Sequence, residues 1–302
     1  GPLADARADT MGPWPAHGDP THVITLRNAL QHAAKRVLFA QGGTIEEARD
    51  QDITQAVATA KRSDIVILAL GERATMSGEA ASRAQPNLPG RQLELLRKIT
   101  ALGKPVIVVL MAGRPLIEPE LYEKATAILF AWQPGTRGGE ALTNLIFGSA
   151  EPLGRLPVTI PRLVGQIPIT HDRRPTGRPA TIDKKPYTTG YSDIDMMPQY
   201  PFGCGLSYTE FTAGAPNVSV IRENGKPLAL SVEIPVRNNG HRRGTTLVQA
   251  YLRQDVAFIS QPEKQLRGFT RITLDKEQAA TALITIPLES MNYHDGAGTL
   301  HQ

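Results

Sequence analysis

Two stretches of this sequence, DIVILALGE (64–72) and PVIVVLMAG (105–113), are apolar at almost every position, and one amphipathic helical pattern lies between them. A strand with one wet face alternates apolar and polar residues, so an unbroken apolar run belongs to a strand buried on both faces. Two such strands separated by a helix pair in parallel, because a parallel neighbour needs a long crossover whereas an antiparallel one is reached by a tight turn. The chain is therefore expected to build a sheet with helices on both sides.

The same alternation extends in both directions. HVITLRNALQHAAKR brings Val23, Leu26, Leu30 and Ala33 to near-helical spacing, and VLFAQGG follows as a short apolar run closed by glycines. EEARDQDITQAVATAKRSD places Ile53, Ala56, Val57 and Ala60 on one helical face. GRQLELLRKITALGKP directs Leu93, Leu96, Ile99 and Leu102 inward, with Gly103 and Pro105 as stop signals. PELYEKA, TAILFAWQPG and RGGEALTNLIFG repeat the unit once more. The fold class is α/β, with a mostly parallel sheet, and ligands then belong at the carboxyl ends of its strands.

From Arg155 the periodicity fades into a connector rich in Pro, Gly and Tyr that ends in YPFGCGLSYTEF. Beyond it the class changes. LALSVEIPV sets Leu228, Leu230, Val232, Ile234 and Val236 on one face, Asn238 to Gly240 supply a turn, and TLVQAYLRQ and ATALITIPL alternate again. Such strands predict a small β-sandwich.

Several functions are excluded by what is missing. The 33 Lys and Arg residues are dispersed among 29 Asp and Glu, with no basic stripe interleaved with aromatics, so a nucleic-acid partner is not expected. With Cys204 as the single cysteine, neither an internal disulfide nor a cysteine-based metal site can form. His17 and His22 flank Asp19 in HGDPTH and read as solvated loop residues rather than metal ligands. No apolar run approaches the roughly 18 residues of a membrane span, so no membrane partner is expected. Neither a dinucleotide fingerprint, nor a phosphate-binding loop, nor a G-x-S-x-G nucleophile elbow occurs, and no cofactor or metal is implied.

One loop invites a function. GERATMSGEAASR (71–83) follows directly on the strand ending at Leu70 and continues through AQPNLPG. That is far longer than the ~2–6 residues usual for a βα connection, and long loops at strand ends are where sites sit. It offers two carboxylates, Glu72 and Glu79. WQPGTRGG, directly after Ala131, falls at the same sheet edge.

Taken in order, GPLAD…MGPW, AKRSDIVILALGE, GKPVIVVLMAGRPL, AWQPGTRGGEAL…LIFG, EPLGRLPVTIPR and YPFGCGLSYTEF resemble glycoside hydrolase family 3, the β-glucosidase group, over essentially the whole chain. The resemblance implies an α/β-sandwich domain over residues 1–160, a connector over 161–215 and a fibronectin type III-like domain over 216–302. SMNYHDGAGTLHQ ends before the last strand expected of that sandwich, and GPLADARADTMGPW reads like the interior of a longer protein, so a fragment is expected. The family's N-terminal barrel, which carries an aspartate nucleophile, is expected to be absent. The isolated chain is accordingly expected to be inactive.

What the resemblance implies about chemistry is specific. SGEAASR matches the family's acid/base motif at Glu79, and Glu72, in the preceding GE pair, reads as a structural or hydrogen-bonding residue. Arg83 either positions Glu79, binds sugar hydroxyls, or stands as a solvated arginine. Trp14 corresponds to a tryptophan lining the aglycone side, against the alternative of a ring plugging a domain interface, and Trp132 reads as a packing residue. Cys204 and Gly190 depart from the family pattern in the connector. The implied activity is that of a retaining exo-β-glycosidase on β-linked glucosides or short oligosaccharides, in the periplasm or outside the cell. The alternative is a non-catalytic carbohydrate-binding or docking module that pairs with a separate barrel chain.

Overall fold

The computed structural model describes residues 1–180 and 187–301; residues 181–186 of the expected connector, and residue 302, lie outside the described residues. The chain divides into two units, Gly1–Ala150 with Ile160–Ile167, and Glu151–Thr159 with Pro168–Gln302.

In the first unit the elements run α1 (Arg7–Met11), α2 (Leu26–Ala33), α3 (Asp50–Lys61), β1 (Val66–Gly71), α4 (Gln92–Thr100), β2 (Val106–Met111), α5 (Pro119–Lys124), β3 (Ala127–Phe130) and α6 (Gly138–Ile146). The three strands pair in parallel in the order β1-β2-β3, with Val66 opposite Val106 and Ile107 opposite Ala127. This is the sheet that the two unbroken apolar runs predict. Alternate strand residues Ala69, Val109 and Met111 join Leu26 and Leu30 of α2 and Leu142 of α6 in one core cluster. The intervening Leu68, Leu70, Val108 and Leu110 are equally buried, and α4 packs against β1. VLFAQGG contributes Val37 and Phe39 to the core but forms no ladder strand.

Two helical faces differ in detail from the spacing-based expectation. In α4 the buried residues are Gln92, Leu95, Leu96 and Ile99, and Leu93 is half-buried. In α2 they are Leu26, Ala29 and Leu30, whereas Ala33, in the last position, is exposed.

Buried Gln92 has a specific task. Its Oε1 accepts from the Gly71 N–H at 2.8 Å, while its Nε2 donates to the Gly71 carbonyl at 2.8 Å and to the Ile45 carbonyl at 2.9 Å. The side-chain amide thus acts as a one-residue strand that pairs the end of β1 just before the long loop. Gly71 itself has φ +142°, and a Cβ there would overlap the Met111 carbonyl oxygen. Glycine is required where the chain leaves the sheet.

The second unit holds β4 (Phe211–Ala213), β5 (Asn217–Glu223), β6 (Lys226–Asn238), β7 (Gly244–Leu252), β8 (Gln265–Leu274), β9 (Ala279–Pro287), β10 (Tyr293–His294) and β11 (Leu300–His301). β6 pairs antiparallel with β4, β5 and β9, and β7 pairs antiparallel with β8. Val232, Ile234 and Val236 of β6 and Ala282, Ile284 and Ile286 of β9 pack against Leu274, Ile272, Val248 and Ala250 of the β7–β8 pair. That is sheet-on-sheet packing, as the alternation predicts.

Leu228, expected on the inner face, is exposed instead. It sits where the register between β5 and β6 shifts, Ile221 pairing with Ala229 and Arg222 with Pro227, so it is the residue left over at a bulge. Asn238, expected in a turn, ends β6 and is 0% exposed. Its Oδ1 accepts from Thr209 Oγ1 and Gly240 N–H, and its Nδ2 donates to the carbonyls of Arg242 and Leu274.

Candidate active site

Four segments meet at the carboxyl edge of the parallel sheet: residues 9–14 from within α1 onward, the loop 71–83 that begins at the last residue of β1, residues 111–114 from the last residue of β2, and residues 131–135 after β3. The 71–83 loop is the longest of them and starts from the fixed point made by Gly71 and Gln92.

Glu72 is buried, with a side chain only 1% exposed, and both carboxylate oxygens are occupied. Oε1 accepts from Arg83 Nη1 at 2.6 Å, and Oε2 accepts from Arg114 Nε at 3.1 Å. A carboxylate taken out of water is tolerated only when paired and hydrogen-bonded, and two guanidinium groups do that here. Arg83 also donates to Asn87, giving Nη1 to its carbonyl at 2.9 Å and Nη2 to its Oδ1 at 3.2 Å. Of the roles open to Arg83 in the sequence, the geometry therefore directs its guanidinium to Glu72 and Asn87.

Arg114 reaches further along the loop. Its Nη2 donates to the carbonyls of Met76 and of Ala81, the latter at 2.6 Å. Between those carbonyls the chain makes a turn in which Gly78 has φ +100° and Ala80 has φ +58°, so Glu79 stands between two left-handed residues. Such a conformation persists in alanine only when its surroundings fix it. Further struts come from Asp9, whose Oδ1 accepts from the Ala74 N–H at 2.9 Å, and from Gln133, whose Nε2 donates to Ser77 Oγ at 3.1 Å.

Glu79 is exposed at the head of this turn, and among the described residues its carboxylate has no hydrogen bond or ion pair. Trp14 stands beside it. The ring is 72% exposed, and a Cβ added to Gly78 would lie 3.3 Å from Trp14 Cζ2, which puts the indole edge against the residue preceding Glu79. Trp132, with φ +52°, is half-buried at the end of β3, and its ring lies 6.1 Å from that of Phe130.

Glu79 and Trp14 are thus brought together on one rim, while Arg83 turns away from the rim towards Glu72. Sequence reasoning passed over Arg114, Gln133, Asp9 and Gln92. The one available signal was position: MAGRPL puts Arg114 three residues past the end of β2, at the edge where ligands bind in such sheets. Asp19, between the two histidines of HGDPTH, is occupied in local structure, accepting from the Thr21 N–H at 2.8 Å.

A three-layered α/β unit followed by an antiparallel sandwich, with a carboxylate-bearing loop at the sheet edge, is the C-terminal architecture of a class of glycoside hydrolases. The chain belongs to glycosyl hydrolase family 3: residues 1–208 match the Glycosyl hydrolase family 3 C-terminal domain, and residues 246–300 match the Fibronectin type III-like domain. It is 38% identical to the periplasmic beta-glucosidase of Salmonella typhimurium over 97% of this chain and 41% of that protein. It is 37% identical to a beta-xylosidase of Formosa agariphila over 91% of this chain and 38% of that protein. The crystal structure of the beta-glucosidase from Listeria innocua in complex with isofagomine superposes with a TM-score of 0.92 and 33% identity, over 100% of this chain and 42% of that one. The chain therefore spans about two fifths of the length of these relatives.

Proposed function

We propose that this chain is the part of a retaining β-glycosidase, of the β-glucosidase type, that supplies the general acid/base, Glu79, to a site whose nucleophile lies on a barrel domain outside these residues. In this reading residues 1–160 form the α/β-sandwich domain, 161–215 a connector and 216–302 the fibronectin type III-like domain. The observation that carries the reading is the division of labour between two carboxylates of one loop. Glu72 has both oxygens held by arginines and is almost fully buried, whereas Glu79 is exposed and, among the described residues, unpaired. Only Glu79 is free to reach a substrate oxygen.

A retaining glycosidase needs a second carboxyl roughly 5–5.5 Å from the nucleophile across the scissile bond. Glu79 protonates the glycosidic oxygen as the bond to the anomeric carbon breaks and the nucleophile forms the glycosyl-enzyme. It then takes a proton from the water that attacks that intermediate. Trp14, exposed next to the turn, offers an aromatic face to the leaving-group side of the sugar. Arg83 supports the loop through Glu72 and Asn87.

Substrates of this reading are β-linked glucosides or short oligosaccharides. The Listeria innocua beta-glucosidase, solved with glucose and, as a mutant, with laminaribiose, supports that class. The periplasmic beta-glucosidase among the relatives supports a periplasmic or extracytoplasmic setting. The test is the leaving-group dependence of Glu79→Ala in the complete enzyme, with this chain joined to its barrel. Aryl glucosides with poor leaving groups should lose ~10²–10⁴-fold in rate, whereas dinitrophenyl glucosides should form the glycosyl-enzyme almost normally. Equal loss on both would refute the role. The chain without a barrel should not turn over either substrate; turnover by the purified chain alone would contradict the division between domains.

A further inference from the structure

We infer that Arg114 is a positioning residue for Glu79: anchored on Glu72, its guanidinium grips the backbone on both sides of the turn that presents Glu79 and so fixes where that carboxyl stands. The inference rests on the acid/base reading of Glu79 only for its catalytic consequence; the grip itself is a matter of geometry.

Among the described residues the Glu79 side chain has no partner of its own, so its position is set by its backbone. That backbone is unfavourable, with left-handed Gly78 and Ala80 on either side, and within the turn the Ala81 N–H reaches the Gly78 carbonyl only at 3.4 Å. Arg114 supplies what the turn lacks. The Met76 and Ala81 carbonyls bracket the four residues Ser77 to Ala80, and one Nη2 donates to both. Nε, in the same rigid plane, donates to Glu72. Glu72 in turn follows Gly71, whose N–H and carbonyl are locked by Gln92 at the end of β1. A continuous chain of contacts runs from the sheet through Glu72 and Arg114 to the turn.

The residue type matters. Guanidinium presents five donors in a fixed fork, and lysine, a flexible point charge, cannot hold a carboxylate and two carbonyls in one plane. A buried ion pair is also weak as a source of stability, because desolvation offsets most of the attraction. Its use here is geometric. General acid catalysis requires the carboxyl within ~2.6–3.2 Å of the leaving oxygen, and a misplacement of about 1 Å costs on the order of 10²-fold.

Two variants test this, Arg114→Lys and Arg114→Gln, each with two readouts. Amide hydrogen exchange on the chain should show residues 78–81 exchanging roughly 10-fold faster in Arg114→Lys, with α4 and β2 unchanged. In the complete enzyme, the same variant should lose roughly 10–100-fold on glucosides with poor leaving groups and little on dinitrophenyl glucosides. Should Arg114→Gln fail to fold, Arg114→Lys decides, because it keeps the charge beside Glu72. Unchanged exchange at 78–81 together with an unchanged leaving-group profile in Arg114→Lys would overturn the inference, even where Glu79→Ala itself discriminates between leaving groups. Faster exchange in Arg114→Lys with no leaving-group discrimination in Glu79→Ala would uphold the grip and reject the role of Glu79 instead.

Discussion

Replacing Glu72 by alanine removes the hub of the loop without touching the exposed rim, and its cost can be worked from the structure. The side chain is 1% exposed, and its loss leaves Arg83 and Arg114 without a counter-ion. Breaking a buried ion pair from one side costs ~3–5 kcal/mol, most of it the penalty of the charge left behind. The arginine side chains keep 23% and 19% of their surface in water, so they can partly rehydrate, and the lower end applies, about 3 kcal/mol. For a unit of roughly 150–250 residues each kcal/mol moves Tm by about 2–4 °C, so the transition of the α/β unit should fall by roughly 6–12 °C. Glu72→Gln keeps the volume and one acceptor and should fall between wild type and alanine. Differential scanning calorimetry of the chain at neutral pH reads both, with the sandwich transition as an internal reference. A loss under about 1 kcal/mol, the range of an exposed pair, would show that Glu72 is not the buried hub and would refute the reasoning.

The remaining expectations concern separate parts of the molecule. Trp14→Ala should change stability by less than ~0.5 kcal/mol, since the ring is 72% exposed, yet raise KM in the complete enzyme; a large Tm loss with unchanged KM would mark the ring as packing instead. Asn238→Ala strands the four groups now bonded to the buried amide and should cost the sandwich ~2–4 kcal/mol by urea denaturation, whereas a loss below ~0.5 kcal/mol would contradict that role. Hydrogen bonds from Arg91 and then Lys98 hold the Glu94 carboxyl at about 2, against an ordinary 4.5. Because that value is depressed in the folded state, the contribution is fully present above about 4.5 and is lost as pH falls towards 2. Thermal melts of Glu94→Gln should therefore show a shallower acid-side decline in that window at low salt, and an unchanged decline would dismiss the pairing.

What the sequence disclosed and what it withheld divide along a physical line. Periodicity is local, so DIVILAL and PVIVVLM announced buried parallel strands, and LALSVEIPV a half-buried one. The strand ends then located the long loop and with it Glu79. Polar contacts between distant residues have no period. Nothing around Arg114 shows that its partner lies 42 residues earlier, nor around Gln92 that it would pair with the end of β1. Asn238 looked like turn chemistry because Asn-Asn-Gly is turn composition, and only its bonds to groups distant in sequence, Thr209 and the Leu274 carbonyl at the end of β8, reveal it as a buried hub. Leu228 failed for a related reason: a bulge shifts the register by one residue, and no alternation pattern marks where it falls.

The central claim, that Glu79 and not Glu72 is the acid/base, is tested most directly by product analysis of the two alanine variants in the complete enzyme with added azide. Without its base, the glycosyl-enzyme formed from a dinitrophenyl glucoside should stall, and azide, which needs no proton removed, should attack the anomeric carbon in its place. Glu79→Ala should then recover turnover and release a β-glucosyl azide, the product of a second inversion, while Glu72→Ala should yield none and instead lose stability and, with Arg114 deprived of its anchor, some rate on poor leaving groups. Azide rescue in Glu72→Ala with none in Glu79→Ala would contradict the account and move the proton transfer to the start of the loop.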